Sequence, residues 1–294
     1  MEAPIPVQSS PTKITGLIGH PIGHSLSPLM HNTAFEMLRM DCAYLAFDVP
    51  PQYLSDALQG IVALGIAGVN VTAPHKEAVI PLLDDLSSEA RAIGAVNTIV
   101  NEGGKLSGHN TDLYGFVEMM KPLQEAIEGE EMSVIGAGGA ARAVLYGLTT
   151  HFRPKLIHLL NRSADRANSL REFFAGSFGF RQIDVVDLYM PSAQKVLAQS
   201  RLIVNTTPLG MAPRVEESPI REHDALKTGQ VLVDLVYNPP ETKLIRLAKL
   251  SGVKTVSGIE MLLHQGARSF ELWTSRKMPL DSVRQTLQAH LSNS

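Results

Sequence analysis

The chain has 294 residues, 44% hydrophobic and 19% charged, enough to bury a substantial core and in the range where globular chains divide into two domains. A net charge of -3 carries no footprint for nucleic acid or an anionic membrane, and no run of about 18 apolar residues reads as a membrane span. The single cysteine, Cys42, excludes an internal disulfide and favours a cytoplasmic location, which leaves a small metabolite as the expected partner.

Residues 1–12 hold three prolines, no Lys or Arg and no apolar stretch, so they read as a disordered extension and not as a signal peptide. From Lys13 short β-rich runs alternate with helical ones: strands over 14–18, 44–49 and 68–71, helices over 28–40 and 53–64. In the first helix Met30, Ala34, Met37 and Leu38 recur at helical spacing, which predicts one apolar stripe against a sheet. A helical stretch over 76–83 precedes two strands, 95–101 and 105–109, whose Glu102-Gly-Gly104 connection signals a hairpin and an antiparallel edge.

A helix over 113–127 leads into Glu128-Gly-Glu-Glu131, read as a solvated turn before a second unit. Apolar β runs over 133–135, 156–160, 202–205 and 231–235, with weaker ones near Ile183 and Lys254, predict a six-stranded, doubly wound parallel sheet. Helices over 259–274 and 280–291 close the chain, and the Leu263, Ala267, Phe270 and Trp273 stripe predicts that they pack back on the first unit. The fold class is therefore α/β in two domains, a mostly parallel N-terminal substrate domain and a Rossmann-type dinucleotide domain. The expected division is 13–115 with 259–294 for the first and 116–258 for the second.

Val134-Ile-Gly136-Ala137-Gly138-Gly139-Ala140-Ala141 runs from a strand through a glycine turn into a helix. Gly136-x-Gly138-x-x-Ala141 allows a tight turn, close approach of a pyrophosphate and its presentation to a helix N-terminus. A dinucleotide site for NAD usually ends its next strand in an acid. Here that strand ends in Asn161-Arg162-Ser163, with Arg166 close behind, and guanidinium groups suit a 2′-phosphate, so NADP is expected.

Asn70-Val-Thr72-Ala-Pro-His-Lys76 and, 36 residues after the lysine, Asp112 place an amine and a carboxylate where apolar strands give way to turns. Such a pair can move a proton. Asp112 is also a natural N-cap for the helix that follows, and Lys76 in a first helical turn sits where a cation is disfavoured. Ser27 before Pro28 reads equally as a helix cap or a ligand contact, whereas Ser25 in the same loop has less structural reason to be there. His20, His24, His31, His75 and His109 read as polar loop or partly buried histidines in preference to a metal set, and Cys42 as a small core residue.

Taken together, Ser25-Leu-Ser-Pro28, Asn70-Val-Thr-x-Pro-x-Lys76, Gly94-Ala-Val-Asn97-Thr, Gly108-x-Asn-Thr-Asp112, Gly136-Ala-Gly-Gly-Ala-Ala-Arg142, Asn161-Arg-Ser163, Asn205-Thr-Thr-Pro-Leu-Gly-Met211, Asp234-Leu-Val-Tyr237-Asn-Pro and Gly258-Ile-Glu-Met-Leu-Leu-His-Gln265 resemble the shikimate dehydrogenase family over nearly the whole chain. The resemblance implies NADPH-dependent reduction of 3-dehydroshikimate to shikimate, on the route to chorismate and the aromatic amino acids. It implies Lys76 and Asp112 as the catalytic pair, Ser25 and Ser27 at the substrate carboxylate, and Asn70, Thr72, Asn97, Asp112 and Gln265 at the ring hydroxyls and reacting centre. It places Gly136, Ala137, Gly138, Gly139 and Ala140 at the pyrophosphate, Asn161, Arg162, Ser163 and Arg166 at the 2′-phosphate, and Thr206, Tyr237, Gly258 and Met261 around the nicotinamide half. Closure of the cleft between the domains is expected to bring Lys76 and Asp112 to the nicotinamide.

Two departures stand out: Ser163 replaces the frequent Thr, and Glu260 falls in Gly258-Ile-Glu-Met261, where Gly-Leu-Gly-Met is frequent. A quinate/shikimate dehydrogenase with relaxed substrate or cofactor use is the nearest alternative, and a ligand-sensing module without catalysis a remote one. No metal is expected, and either a monomer or a homodimer fits the sequence.

Overall fold

Lys13–Gly19 alternates poorly because its inner residues are covered on both sides; it forms β1, flanked on both edges in the computed structural model, which describes residues 12–23, 25–220 and 225–292. Apart from Thr12, the extension expected over 1–12 lies outside the described residues, as does His24. Helix α1 (Ser27–Met37), strand β2 (Cys42–Asp48), helix α2 (Leu54–Ala63) and strand β3 (Gly68–Val71) follow, with β1 pairing parallel to both β2 and β3. The stripe on α1 differs from the expected one. Met30, His31, Ala34 and Phe35 are buried while Met37 is 48% exposed, because the helix ends there and the chain turns at Arg39 with φ 51°.

The helix expected over 76–83 is broken in two, a short α3 (His75–Ala78) and a 3₁₀ turn over Ile80–Leu82. Pro81 lacks the N–H that an α-helical turn needs there. Strand β4 (Asp85–Leu86) and helix α4 (Ser88–Ile93) were not expected. Ser87 caps α4 by accepting from the Ala90 N–H at 3.1 Å, and Gly94, with φ 69°, ends it in the left-handed region that favours glycine. Strands β5 (Thr98–Glu102) and β6 (Lys105–His109) form the hairpin. The sheet order is β2-β1-β3-β5-β6-β4, so the antiparallel strand β5 lies inside the sheet and not at its edge.

The helix expected over 113–127 is likewise divided at a proline, Pro122, into α5 (Thr111–Met120), a 3₁₀ turn and α6 (Gln124–Ile127). Next come β7 (Glu131–Ile135), α7 (Gly139–Gly147), β8 (Leu156–Asn161), α8 (Ala164–Phe178), β9 (Ile183–Asp187), α9 (Pro191–Gln199), β10 (Leu202–Asn205), β11 (Val231–Asp234), α10 (Lys243–Leu250) and β12 (Lys254–Ser257). The six strands are all parallel, in the order β12-β11-β10-β7-β8-β9, as the doubly wound pattern requires. Their inward faces are aliphatic, with Val134, Leu159, Val204 and Val233 fully buried against α7 and α8.

Helices α11 (Ile259–Thr274) and α12 (Leu280–Ser292) return to the first sheet, where Leu263, Phe270, Trp273, Val283 and Leu287 share a core with Met30, Phe35 and Tyr44. The Trp273 indole N–H donates to the Ile99 carbonyl at 2.9 Å, fixing α11 on β5. Gly115 on α5 faces α11 so closely that a Cβ would meet the Met261 carbonyl and the Gln265 backbone. α5 thus lies between the two sheets' layers, with Phe116 and Met120 in the core of the second.

Candidate active site

Strand β3 ends at Val71, and the turn after it is pinned by His75, whose Nε2 lies 2.7 Å from the Val49 carbonyl. That anchor sets Lys76 on the first turn of α3, its stem against Gly139 at the start of α7. Its Nζ donates to Asp112 Oδ2 at 2.5 Å, with the two side chains 18% and 8% exposed. The structure gives Asp112 no capping duty. Asn110 caps α5 instead, accepting from the Leu113 N–H at 3.1 Å and donating from Nδ2 to the Ala95 carbonyl at 2.9 Å.

The other Asp112 oxygen accepts from Asn97 Nδ2 at 2.8 Å, and Asn97 Oδ1 accepts from the Thr111 N–H at 2.6 Å. A backbone N–H can only donate, so Asn97 must turn its oxygen to Thr111 and its NH₂ to Asp112. Behind it Thr98, Thr111 and Ser269 bring three hydroxyls within 2.8 to 3.1 Å of one another. Asn70 Nδ2 donates to Thr98 and Ser269 at 3.0 Å each, and its oxygen accepts from the Tyr44 phenol at 2.8 Å. Gln265 on α11 completes this floor, its Oε1 3.4 Å from Asn97 Nδ2. Thr72, partly buried, lines the turn between β3 and α3, its backbone N–H donating to the Ile18 carbonyl at 2.9 Å.

At the α1 end, the capping reading of Ser27 does not hold. Ser27 makes no side-chain cap; Ser25 Oγ accepts from the Ser27 N–H at 3.2 Å, so Ser25 carries the local structural bond. Burial drives the pKa of the Tyr44 phenol well upward, with the nearby Ser27 hydroxyl opposing the shift. Burial also raises the phenol pKa of Tyr237, which follows β11 in the other half of the molecule, with Ser25 opposing the shift. Tyr44, Thr98, Thr111 and Ser269 were not among the expected site residues. Ser269 lies four residues after Gln265, on the same helical face, and that spacing was a usable signal; nothing local marks Tyr44.

At the glycine turn expected to bind a dinucleotide, Gly136 has φ 110° and stands against Thr206, whose hydroxyl donates to the Ile135 carbonyl at 2.8 Å. A side chain fits neither the angle nor the space. Ala137, Gly138, Gly139 and Ala140 are partly exposed, and a Cβ on Gly138 would meet nothing within 4 Å, which leaves the approach to the α7 N-terminus open. Asn161 Nδ2 donates to the Ser163 carbonyl at 2.9 Å, shaping the turn that holds Arg162 and Arg166 out at the surface. Among the described residues neither guanidinium has an acidic partner. Gly258 packs on the Leu235 carbonyl with no room for a Cβ, and Met261 is buried one turn into α11. These features fit a phosphorylated dinucleotide.

Glu260 points away from that turn: its carboxylate accepts from Arg284 Nε and Nη2 at 2.9 and 3.1 Å, tying α11 to α12. The histidines have separate environments. His20 pairs with Asp48 at 2.9 Å, His109 lies 3.4 Å from Ser107, and His31 stacks on Tyr44. Cys42 is half-buried at the start of β2, where burial raises its thiol pKa.

Comparison with known proteins matches residues 17–99 to the shikimate dehydrogenase substrate binding domain and residues 258–288 to the shikimate 5'-dehydrogenase C-terminal domain. The NADP(+) shikimate dehydrogenase of Symbiobacterium thermophilum is 46% identical over 281 residues, covering 96% of this chain and 95% of that protein. A shikimate dehydrogenase crystallised with NADP+ superposes with a TM-score of 0.87 at 37% identity, over 95% of this chain and 96% of that one. The Thermus thermophilus enzyme, solved with NADP(H) and shikimate, gives a TM-score of 0.81 at 35% identity, over 94% of this chain and 99% of that one. With a relative this similar spanning almost the full length, the chain belongs to the shikimate dehydrogenase family.

Proposed function

We infer that the chain catalyses the reversible, NADPH-dependent reduction of 3-dehydroshikimate to shikimate, as an oxidoreductase acting on a CH–OH group in chorismate and aromatic amino acid biosynthesis. The observation that carries it is the Lys76–Asp112 contact of 2.5 Å, set beside a glycine turn whose first helical residue, Gly139, lies against the lysine stem. The division into domains is 13–115 with 259–294 for the substrate and 116–258 for NADP.

NADPH, when bound, supplies the hydride. Gly136 to Ala140 at the start of α7 hold its pyrophosphate, and Asn161, Arg162, Ser163 and Arg166 hold its 2′-phosphate, which an acid at the end of β8 would repel. Thr206, Tyr237, Gly258 and Met261 border its nicotinamide half. Ser25 and Ser27 bind the substrate carboxylate, while Asn70, Thr72, Asn97 and Gln265 fix the ring hydroxyls. Lys76 Nζ gives a proton to the oxygen that was the ketone, and in the reverse direction takes it from the shikimate hydroxyl. Asp112 holds the amine on one oxygen and Asn97 on the other, so the donor is aimed before substrate arrives.

Steady-state kinetics with shikimate and quinate, each against NADP+ and NAD+, test this reading. Shikimate with NADP+ is expected to give the highest kcat/KM. A preference for quinate or for NAD+ would overturn the corresponding half, and ligand binding without any turnover would point to a sensing module.

A further inference from the structure

Arg142 is the one residue of the glycine-turn motif that has no assigned task, and its placement is costly. It lies in the first turns of α7, where the helix dipole opposes a cation, yet its side chain is only 18% exposed. Two contacts hold it, and a glycine turn passes close by. Glu77 Oε2 lies 3.2 Å from Nη2 and the Phe173 ring centroid of α8 lies 4.9 Å from Cζ, while a Cβ added to Gly94 at the end of α4 would come within 3.4 Å of Nη1.

Glu77 directly follows Lys76 on α3. The lysine itself rests on the other half of the molecule, since a Cβ added to Gly139 would lie 3.1 and 3.2 Å from its Cδ and Cβ. Two adjacent residues of α3 therefore touch the first turns of α7. Lys76 touches through its stem, and Glu77 through an ion pair.

We propose that Glu77 and Arg142 are positioning residues, a strut across the cleft that sets Lys76 against the phosphate-binding turn so that its ammonium meets the carbonyl oxygen. This rests on the assignment of Lys76 as proton donor. Glu77 is 44% exposed, so the pair adds little to folding. Its loss is read in turnover. A lysine free to settle off its productive position costs on the order of tenfold to a hundredfold in rate.

The test compares Glu77→Gln, Glu77→Asp, Arg142→Gln, Arg142→Lys, the double Gln variant and the exchange Glu77→Arg with Arg142→Glu in the full chain, with shikimate and NADP+ as substrates. Glu77→Gln and Arg142→Gln are each expected to lower kcat about tenfold, with unchanged shikimate KM and unchanged melting temperature. The double variant should be no worse than either single one, and the exchange and the two conservative variants should recover part of the loss. Full kcat in Glu77→Gln, or losses that multiply in the double variant, would overturn the strut. A rise in NADP+ KM confined to the Arg142 variants would overturn it too, by making Arg142 a cofactor contact. If the unaltered chain turned over neither substrate, the functional reading would fall first, an outcome separate from variants that match an active parent.

Discussion

Asn70, Asn97, Thr98, Thr111 and Ser269, the floor of the proposed substrate site, are buried, and each is bonded to two or more of its neighbours. Arg162 and Arg166, proposed for the cofactor rim, are exposed and, among the described residues, have no acidic partner. Under the proposed function the contrast follows from what each region would hold. Neutral ring hydroxyls bind weakly one at a time, so the floor gains by fixing every donor and acceptor beforehand and leaving no reorganisation for the encounter. A 2′-phosphate carries its own charge, and exposed guanidinium groups can close on it without having been desolvated in advance. The floor is therefore the region where one atom matters, and the rim the region where charge matters.

The largest effect expected from breaking this arrangement is at the floor's exit. Lys76→Ala should lower kcat by about two to four orders of magnitude, with the fold intact by circular dichroism. Near-normal turnover would remove Lys76 from the mechanism. At the rim, Arg162→Ala with Arg166→Ala should raise NADP+ KM about tenfold to a hundredfold, since hydrogen bonds to charged groups are worth about 1.5–3 kcal/mol. NAD+ has no 2′-phosphate, so its KM should hardly move; an equal rise for both cofactors would show that the two arginines do not read the phosphate.

A smaller effect separates the floor from its support. Tyr44→Phe keeps the ring in the core but removes the hydroxyl that donates to Asn70 at 2.8 Å and meets Ser27. One neutral hydrogen bond is worth about 1 kcal/mol, so shikimate KM should rise about fivefold while NADP+ KM is unchanged. No change in shikimate KM would mean that Asn70 and Ser27 hold their positions without the phenol.

The residues proposed for the rim were easier to single out in sequence than those of the floor. Arg162, Arg166 and the glycines stand close together in the chain, and a strand running into a glycine turn is a local pattern. The doubly wound sheet followed from the spacing of aliphatic runs, and the return of α11 from the stripe ending in Trp273. The floor is assembled from β2, β3, β5, α5 and α11, and the bonds joining Asn70 to Ser269 or Asn97 to Gln265 span most of the chain, so no window of sequence contains them. Short elements were lost for another reason. α4 has its Ser87 cap and Gly94 stop, but six residues are too few to show a helical period. Pro81 and Pro122 were readable as helix breaks, and the apolar periodicity around them masked that signal.

The smallest effect on activity, and the most informative about the floor's foundation, concerns His31. Its ring is fully buried, stacks on Tyr44 with centroids 4.4 Å apart and planes 3° from parallel, and neither nitrogen has a hydrogen-bond partner among the described residues. Burial lowers its pKa to about 3 from 6.5. The unfolded chain thus takes up a proton first as pH falls, so the stability present above pH 6.5 is lost progressively toward about 3, at about 1.4 kcal/mol per pH unit from this group. His31→Phe keeps a flat ring on Tyr44 and removes the proton site. Urea unfolding from pH 7.5 down to pH 4.5 should show a shallower loss of stability in the variant, with shikimate KM at neutral pH unaltered. Parallel curves would mean that the folded chain admits the proton at this ring. A raised KM would mean that the imidazole does more for Tyr44 than stack on it.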